Sequence, residues 1–453
     1  RAGERKPVWG DGLRRVAARA LDPEELSWSP GDGVRAVGLI RSVSILPGWT
    51  VLHGYGELVR GICNRFQGVI LDQGHPDHRV PDANVVLFPY DFRQSVEVAA
   101  ERLAAEVKVR LNELGERDQR RRVVVVAHSM GGLVARYWLG PLEGWRCCRA
   151  LVTLGTPHRG APKALDWLVN GVRLKGVRLP AATRVIQGWP SVYELLPRYP
   201  AVIREETGET LYPHELDVKG FDHDRAADAF KLHKRIEAAW DEVAAEQDGP
   251  EVTPFLGCGH PTLDRASWSG ALSVTKDCAD WSGQPPDWFG DGTVPALAAG
   301  PIEQDERRAG WFRPPARHGA LPSHPGVVER LETINSEART PMRGPEKERP
   351  SLGVDVEEWY PAGEAVPVEV FLRQVPQEQD VSGVRVWASW SLERGGPPDC
   401  VELERAADRW VGELGGFPPG SYRLTVEATR VPGGEPPPVE EVFGVVDPSV
   451  VEG

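Results

Sequence analysis

The chain has 453 residues. At roughly 150 residues per domain, this length predicts two or three domains and enough sequence for a large core. Its formal net charge is -13, and acidic and basic residues are interspersed without a long basic tract, so we expect no nucleic-acid partner. No run approaches the roughly 18 to 20 consecutive apolar residues that a bilayer-spanning helix needs.

The cysteines have no Cys-x-x-Cys spacing of the kind that metal sites use. They are Cys63, Cys147, Cys148, Cys258, Cys278 and Cys400. Free thiols in a reducing compartment are the main interpretation, which predicts a cytoplasmic location, and a bridge between Cys258 and Cys278 is the alternative. Because the chain starts at Arg1, we expect the native N-terminus to lie upstream.

Residues 1–335 alternate apolar, β-branched runs with helical periodicity. Residues 85–88 form a short apolar run, residues 96–114 carry leucines and valine at three- and four-residue spacing, and a valine run follows from residue 123. Residues 150–154 supply the next apolar run. Successive strand, helix and strand predict parallel pairing, and hence a doubly wound, mostly parallel α/β sheet.

Between residues 160 and 255 the strand signals fade and helical stretches dominate, as in residues 225–243. We expect this segment to be a helical cap inserted in the α/β domain. Its apolar residues could pack between cap and core, or they could line an acyl-chain groove or lipid-facing lid. They are Trp167, Leu168, Trp189, Tyr193, Leu195 and Leu196.

The last part of the chain has a different character. Residues 336–353 are rich in Pro, Arg, Glu and Gly and predict a linker. Residues 354–453 alternate apolar and polar side chains over 366–373, 384–392, 422–429 and 439–446, with Pro/Gly turns between them. This pattern predicts an accessory antiparallel β-sandwich that resembles immunoglobulin-like modules. We expect it to be structural or to bind a partner that the sequence does not identify.

A small-x-Ser-x-Gly sequence joins the valine run to the next helical pattern. Ser129 is flanked at two residues' distance by Ala127 and Gly131. Small residues at these positions permit a sharp turn that lifts the Ser hydroxyl out of the sheet. A histidine from elsewhere in the chain could then accept its proton. The segment predicts a nucleophile elbow.

An activated Ser needs a base, and the base needs an acid that fixes its tautomer. In α/β-hydrolases the acid and then the base follow the Ser along the chain. Asp291 lies in a Gly-flanked turn at residues 290–295, and His318 and His324 precede the last helical pattern. His324 comes directly before Pro325, a typical residue of a first helical turn, so its ring could serve only the helix start. His318 is the favoured base.

Four motifs in order give the chain a family resemblance. They are residues 88–93 (FPYDFR), 127–132 (AHSMGG), 154–160 (LGTPHRG) and 290–295 (GDGTVP). Together they resemble the lecithin:cholesterol acyltransferase-like family of lipases and acyltransferases, which includes phospholipid:diacylglycerol acyltransferases and bacterial homologues. The resemblance covers about residues 5–335.

The resemblance implies a Ser129, Asp291 and His318 triad, because the family's His also lies just before the terminal helix. The backbone N–H of Met130 would be one donor to the oxyanion. The family's second donor lies on a Pro-Gly-rich loop before the segment that residues 6–9 resemble, and that loop would precede Arg1. Residues 46–48 (LPG) align with a later loop.

Further residues of interest fall in the family motifs. Asp91 and Arg93 are expected to pair near the floor of the pocket, although Phe92 stands where the family has Trp. His158 is expected to support the site or lie at the surface rather than act in catalysis.

The implied reaction is acyl transfer from a lipid-like ester through an acyl-enzyme to water or an alcohol. It requires no cofactor and no metal, and the protein could meet its substrate by transient contact with a membrane surface. A catalytically silent hydrolase fold used as a binding or regulatory module is the main alternative. A peptidase on the same fold is another.

Overall fold

The computed structural model describes most of the chain. The described residues are 23–39, 43–46, 49–52, 55–113, 122–174, 176–276, 288–336, 350–375, 379–393 and 395–447. Residues 6–9, most of the predicted linker, and Cys278 therefore lie outside the described residues. Within those ranges, no helix combines the length and apolar character required to cross a membrane.

Up to residue 154, strands and helices alternate along the described chain. The strands are β1 (Val43–Leu46), β2 (Trp49–Leu52), β3 (Leu71–Asp72), β4 (Val85–Val86), β5 (Val123–His128) and β6 (Cys148–Leu154). The α-helices are α1 (Gly56–Arg65), α2 (Val96–Glu113) and α3 (Met130–Leu139). Short 3-10 helices cover Pro23–Leu26 and Gly144–Cys147.

Residues 156–336 contribute further helices and short strands. The α-helices are α4 (Pro162–Val169), α5 (Pro180–Gln187), α6 (Pro190–Tyr193), α7 (His223–Ala245) and α8 (Pro325–Asn335). The strands are β7 (Arg173–Leu174), β8 (Val177–Arg178), β9 (Val202–Arg204), β10 (Thr210–Leu211), β11 (Glu251–Phe255), β12 (Arg265–Trp268) and β13 (Leu272–Thr275). The 3-10 helices are Pro213–Glu215, Leu297–Ala299, Ile302–Gly310 and His318–Ser323.

Beyond residue 350 the regular elements of the described chain are strands. They are β14 (Ser351–Asp355), β15 (Trp359–Pro361), β16 (Val366–Arg373), β17 (Arg385–Leu392), β18 (Asp399–Glu402), β19 (Glu404–Ala406), β20 (Arg409–Leu414), β21 (Gly420–Thr429) and β22 (Val439–Val446).

A parallel sheet lies at the centre of the first part, in the order β11-β6-β5. Side chains of β6 alternate between two apolar clusters: Leu151 packs with residues of α2 and α3, while Val152 and Leu154 pack with residues of α1 and α8. A continuous apolar run such as β6 is expected in a sheet that helices cover on both faces. The predicted parallel α/β arrangement is confirmed.

One predicted strand is shorter than its sequence suggested. The apolar run 85–88 forms a strand only at β4, which pairs in parallel with β3. Leu87 still donates its N–H to the carbonyl of Asp72 at 2.9 Å. Pro89 lacks an N–H and cannot extend the ladder, so the chain leaves the sheet there.

The predicted cap contains α4 to α7 together with short strands. A four-stranded sheet in the order β10-β9-β12-β13 joins strands on both sides of residue 255, while β11 belongs to the central sheet although it lies inside the predicted cap range. The six apolar residues singled out in the sequence are all buried. Their burial supports ordinary packing between cap and core.

The C-terminal strands form two sheets that share one apolar cluster. One sheet has the order β14-β16-β20-β19 and is antiparallel; the other has the order β15-β22-β21-β17-β18 and is antiparallel except that β15 runs parallel to β22. Strands β16 and β22 have the predicted bounds, and β17 and β21 lie within two residues of theirs.

Candidate active site

Ser129 occupies a sharp turn between β5 and α3. Its φ is 53° and its ψ is -132°, a conformation that non-glycine residues rarely adopt. The N–H of Ser129 donates to the carbonyl of Leu154 at 2.9 Å, which ties the turn to the end of β6. A Cβ on Gly132 would collide with Thr156, so the helix can approach the neighbouring loop only with glycine there. The predicted strand, turn and helix are present.

Asp291 and His318 form a buried hydrogen-bonded pair. His318 Nδ1 donates to Asp291 Oδ2 at 2.7 Å, and the two side chains are 2% and 1% exposed. The other carboxylate oxygen accepts the N–H groups of Thr293 and Val294. Burial alone would raise the pKa of Asp291, but the charge and hydrogen bond of His318 and these two donors outweigh it and lower the pKa.

His128 connects the elbow to this pair. Its Nε2 donates to the carbonyl of His318 at 2.9 Å, and its Nδ1 accepts the hydroxyl of Tyr55 at 3.1 Å. Burial, aided by the charge of His318, lowers the pKa of His128 to about 3, so the ring is neutral at pH 7. A neutral ring can donate from one nitrogen and accept at the other, as both contacts require. Sequence reasoning missed His128 and Tyr55; the position of His128 directly before Ser129 was the available signal.

Gly155 lies where the loops meet. Its φ is +56°, and its N–H donates to the carbonyl of Phe255 at the end of β11. A Cβ on Gly155 would lie 2.8 Å from both Asp291 Oδ2 and His318 Nδ1. The carboxyl ends of β5, β6 and β11 thus meet beside the acid and base, which is where ligands bind in open parallel α/β sheets.

The two candidate histidines have different surroundings. His324 is the N-cap residue of α8, and its Nδ1 accepts the N–H of Gly326 at 3.2 Å. His318 instead contacts Asp291 through both its ring and its backbone N–H, the latter at 2.9 Å from the Asp291 carbonyl. The structure therefore brings His318, and not His324, to the predicted acid.

The pairing predicted for Asp91 and Arg93 is confirmed. Arg93 Nε and Nη2 donate to the two carboxylate oxygens of Asp91 at 2.9 and 2.8 Å, and the guanidinium also contacts Asp32. His158 is buried, and its Nε2 lies 3.2 Å from the hydroxyl of Thr153. Burial holds the pKa of His158 well below its ordinary value. It is an interior residue rather than a surface one.

Other sequence predictions are only partly covered by the structure. Met130 is the first residue of α3, where backbone N–H groups have no partner within the helix.

Residues 47–48 and Cys278, the alternative partner of Cys258, lie outside the described residues. The Cys258 thiol is 3.3 Å from the carbonyl of Arg313. In the described ranges, no three His, Cys, Asp or Glu residues are grouped so that they could hold a metal ion.

Comparison with known proteins identifies relatives of the first part of the chain. Residues 79–231 match the family model described as lecithin:cholesterol acyltransferase. A stretch of 77 residues is 34% identical to triacylglycerol lipase 2 of Saccharomyces cerevisiae, covering 17% of this chain and 23% of that protein. A stretch of 119 residues is 29% identical to phospholipase A(1) LCAT3 of Arabidopsis thaliana, covering 24% and 26%. The chain thus spans about a quarter of the length of these curated relatives.

Solved structures with similar parts include two bacterial proteins. The mature form of Bacillus licheniformis lipase BlEst2 is 14% identical, with a TM-score of 0.30 over 55% of this chain and 76% of that one. The lin2722 gene product of Listeria innocua is 12% identical, with a TM-score of 0.30 over 64% and 92%.

The family model matches the segment that holds the elbow and the 154–160 loop, and both curated relatives are lipid-ester enzymes by name. The matched segment contains three of the four motifs found in the sequence, at residues 88–93, 127–132 and 154–160. Over residues 79–231 the chain is therefore similar to the lecithin:cholesterol acyltransferase family, as its sequence motifs predicted.

Proposed function

We propose that this protein is a serine-dependent hydrolase or acyltransferase that acts on lipid-like acyl esters. Ser129 is the nucleophile, His318 the general base and Asp291 the acid that orients it. The backbone N–H of Met130 is one donor to the oxyanion. No metal or organic cofactor takes part in this scheme.

The buried Asp291–His318 pair beside the strained Ser129 turn is the observation that carries the proposal. The base loop and the elbow are joined directly, because the ring next to Ser129 donates to the carbonyl of His318. Strain at a non-glycine residue is typical of functional positions. A purely structural turn at this point would not require a buried carboxylate and imidazole at the same edge of the sheet.

The mechanism follows from these positions. His318 accepts the Ser129 proton as the hydroxyl oxygen attacks the ester carbonyl, and Asp291 stabilises the imidazolium that forms. The tetrahedral oxyanion accepts hydrogen bonds from backbone N–H groups. When the intermediate collapses, the imidazolium returns the proton to the leaving alcohol. Water or an acceptor alcohol then releases the acyl group from Ser129.

The substrate class is inferred from the chemistry of the proposed triad and from the names of the curated relatives. The two curated relatives are named a triacylglycerol lipase and a phospholipase A(1), so a lipid-like acyl ester is the proposed donor. Such esters reside in membranes and lipid droplets, and we infer transient contact with a lipid surface during turnover.

The C-terminal strands are proposed to form an immunoglobulin-like sandwich of the kind the sequence predicted. Two sheets around one apolar cluster support this proposal. The parallel β15–β22 pair is a variation on a purely antiparallel arrangement.

Ester turnover by matched variants tests the function. The wild-type protein should hydrolyse p-nitrophenyl esters and acyl lipids in vesicles, and Ser129→Ala should lower kcat by about 10⁴-fold or more. His318→Ala should lower it comparably. His324→Ala is the matched control, because it should lose only a helix cap worth about 1 kcal/mol of stability.

The outcomes separate the alternatives. Turnover that does not depend on Ser129 would refute the proposal, and absence of any turnover would favour a silent binding module. Cleavage of peptides but not esters would indicate a peptidase. Adding a sterol or long-chain alcohol and measuring ester formation distinguishes transfer from hydrolysis.

A further inference from the structure

The C-terminal sheets contact the base loop through a buried arginine. Arg317 directly precedes His318 and is 5% exposed. Its Nη1 donates to the carbonyl of Val354 at 2.7 Å and its Nη2 to the carbonyl of Val356 at 3.3 Å. Its Nε forms an ion pair with Glu441 on β22, which is also buried. The three partners that the described residues provide for this guanidinium belong to the C-terminal part of the chain.

The same guanidinium lies against the acid loop. Gly292 follows Asp291 with a φ of +89°, and a Cβ placed on it would be 3.0 Å from Arg317 Nη2. Arg317 therefore lies between the loop that carries the acid and the sheets that hold Val354 and Glu441. A shift of the guanidinium would therefore disturb the backbone beside His318 and the turn that follows Asp291.

A second contact joins the acid loop to the same strand. His260 exchanges backbone hydrogen bonds with Gly290, at 3.0 and 3.2 Å, and its ring Nδ1 accepts the N–H of Val354 at 3.1 Å. His260 is fully buried, and burial together with the nearby charge of Arg317 lowers its pKa to about 3. The neutral ring can therefore accept the hydrogen bond that the N–H of Val354 donates. Strand β14 thus contacts the base loop directly through Arg317 and is joined to the acid loop through His260.

A planar guanidinium with several fixed donors is suited to this role. It holds a fixed orientation when its partners surround it, and a buried carboxylate orients it more strongly than a carbonyl does. Misplacement of a catalytic group by about 1 Å costs on the order of 100-fold in rate. The position of His318 therefore depends on what holds Arg317.

We propose that Glu441 is a positioning residue for the acid–base pair: through Arg317 it fixes the base loop, so the C-terminal sheets support catalysis rather than serve only as an appendage. The inference rests on the proposed function, since it assigns the support of the same triad. Glu441 touches no substrate in this scheme. Its effect reaches the reaction only through Arg317 and the backbone of His318.

The test compares Glu441→Gln with Glu440→Gln. Glu440 is the adjacent residue of β22, is exposed, and pairs with Arg423 on the sheet surface. Glu441→Gln should lower kcat by about 10- to 100-fold with KM within about twofold. It should also shift or broaden the low-field proton resonance of His318 Nδ1–H. Glu440→Gln should match wild type in both measurements.

A second variant guards against loss of folding. Arg317→Lys keeps a positive charge beside Glu441 but loses the fork that reaches Val354 and Val356, and it should show the same fall in kcat. Thermal unfolding identifies the folded fraction, to which each kcat is normalised. If both variants retain wild-type kcat per folded molecule and the wild-type resonance, Glu441 is merely structural and the inference is wrong. Absence of turnover in the wild-type protein would instead refute the proposed function, and the resonance would still decide the role of Glu441.

Discussion

At the scale of single residues, the site depends on how closely three loops approach one another. Gly155 is the clearest case, because the space where its side chain would lie is filled by the hydrogen-bonded atoms of Asp291 and His318. The 154–160 motif contained this glycine, but only the structure gives its reason. Sequence motifs marked the residues proposed to act, whereas the packing among them depends on contacts between distant parts of the chain.

Gly155→Ala should impair catalysis more than folding. The new Cβ would push apart the acid and base, so we expect kcat to fall about 100-fold or more. Gly68→Ala is the matched control: Gly68 has a similar φ of +69° but open space where its Cβ would lie. Steady-state kinetics and thermal unfolding of both variants provide the comparison. Equal effects on kcat would show that backbone strain alone, and not the contact with the pair, is responsible.

At the scale of elements, Glu194 links the cap to the central domain. This residue follows α6, and its carboxyl accepts the N–H of Val96 at the start of α2 at 2.7 Å. Burial raises the pKa of Glu194 to about 8. The folded protein therefore binds this proton more tightly than the unfolded chain does. The stabilisation that the protonated Glu194 carboxyl contributes to the fold is complete below about pH 4.5 and is lost as pH rises through about 8.

Glu194→Gln should flatten this dependence. The neutral amide can still accept the N–H of Val96 but does not ionise, so the variant should lose less stability than wild type between pH 5 and about 8.5. Urea unfolding across that range measures the difference. Glu329→Gln, on the exposed surface of α8, is the control and should follow wild type. A variant with the wild-type slope would show that Glu194 is not the titrating group.

Long helices followed their sequence patterns closely, while short strands did not. Helix α2 ends one residue before its predicted bound, and α7 extends two residues beyond its predicted bounds at each end, with Asp222 accepting the N–H of Arg225 as its cap. Strands β18 and β19 were not predicted. Their side chains are mostly exposed, and their pairing with β17 and β20 comes from neighbouring strands rather than from an apolar alternation of their own.

The sequence likewise predicted only some of the residues that form the site. Ser129, Asp291 and His318 were predicted as the triad because the motifs around the first two, and the position of His318 before the last helical pattern, can be read directly from the sequence. Tyr55, Arg317 and Glu441 carry no such signal. Their roles arise because tertiary packing brings them into contact with residues that are distant in sequence. Arg317 and Glu441, for example, are more than a hundred residues apart.

At the scale of the whole molecule, the C-terminal part shares a core with the first part. Trp359 on β15 and Val446 on β22 belong to the apolar cluster that contains residues of α2, α3 and the cap. Lys163 of α4 also pairs with Glu358 at 2.7 Å. A linker was predicted at 336–353, but residues 351–353 belong to β14 and Leu352 lies in the C-terminal apolar cluster. Because the two segments are packed together, we expect them to unfold together.

Trp359→Ala should destabilise both segments at once. Removal of this buried ring should cost about 3 to 5 kcal/mol, and calorimetry should still show a single transition at lower temperature. Trp387→Ala, at a half-buried site on β17, should cost less. Two separate transitions in the wild-type protein would contradict the shared core.

The proposed function depends on activation of Ser129 by His318 and Asp291. A fluorophosphonate probe followed by peptide mass spectrometry measures this directly, because the probe forms a stable adduct only with an activated serine. We predict a single adduct on the peptide that contains Ser129. It should be absent in Ser129→Ala, slowed by about 10³-fold or more in Asp291→Asn and His318→Ala, and unchanged in His324→Ala. An adduct on another residue, or labelling of Ser129 that is unaffected by Asp291→Asn and His318→Ala, would refute the proposed triad.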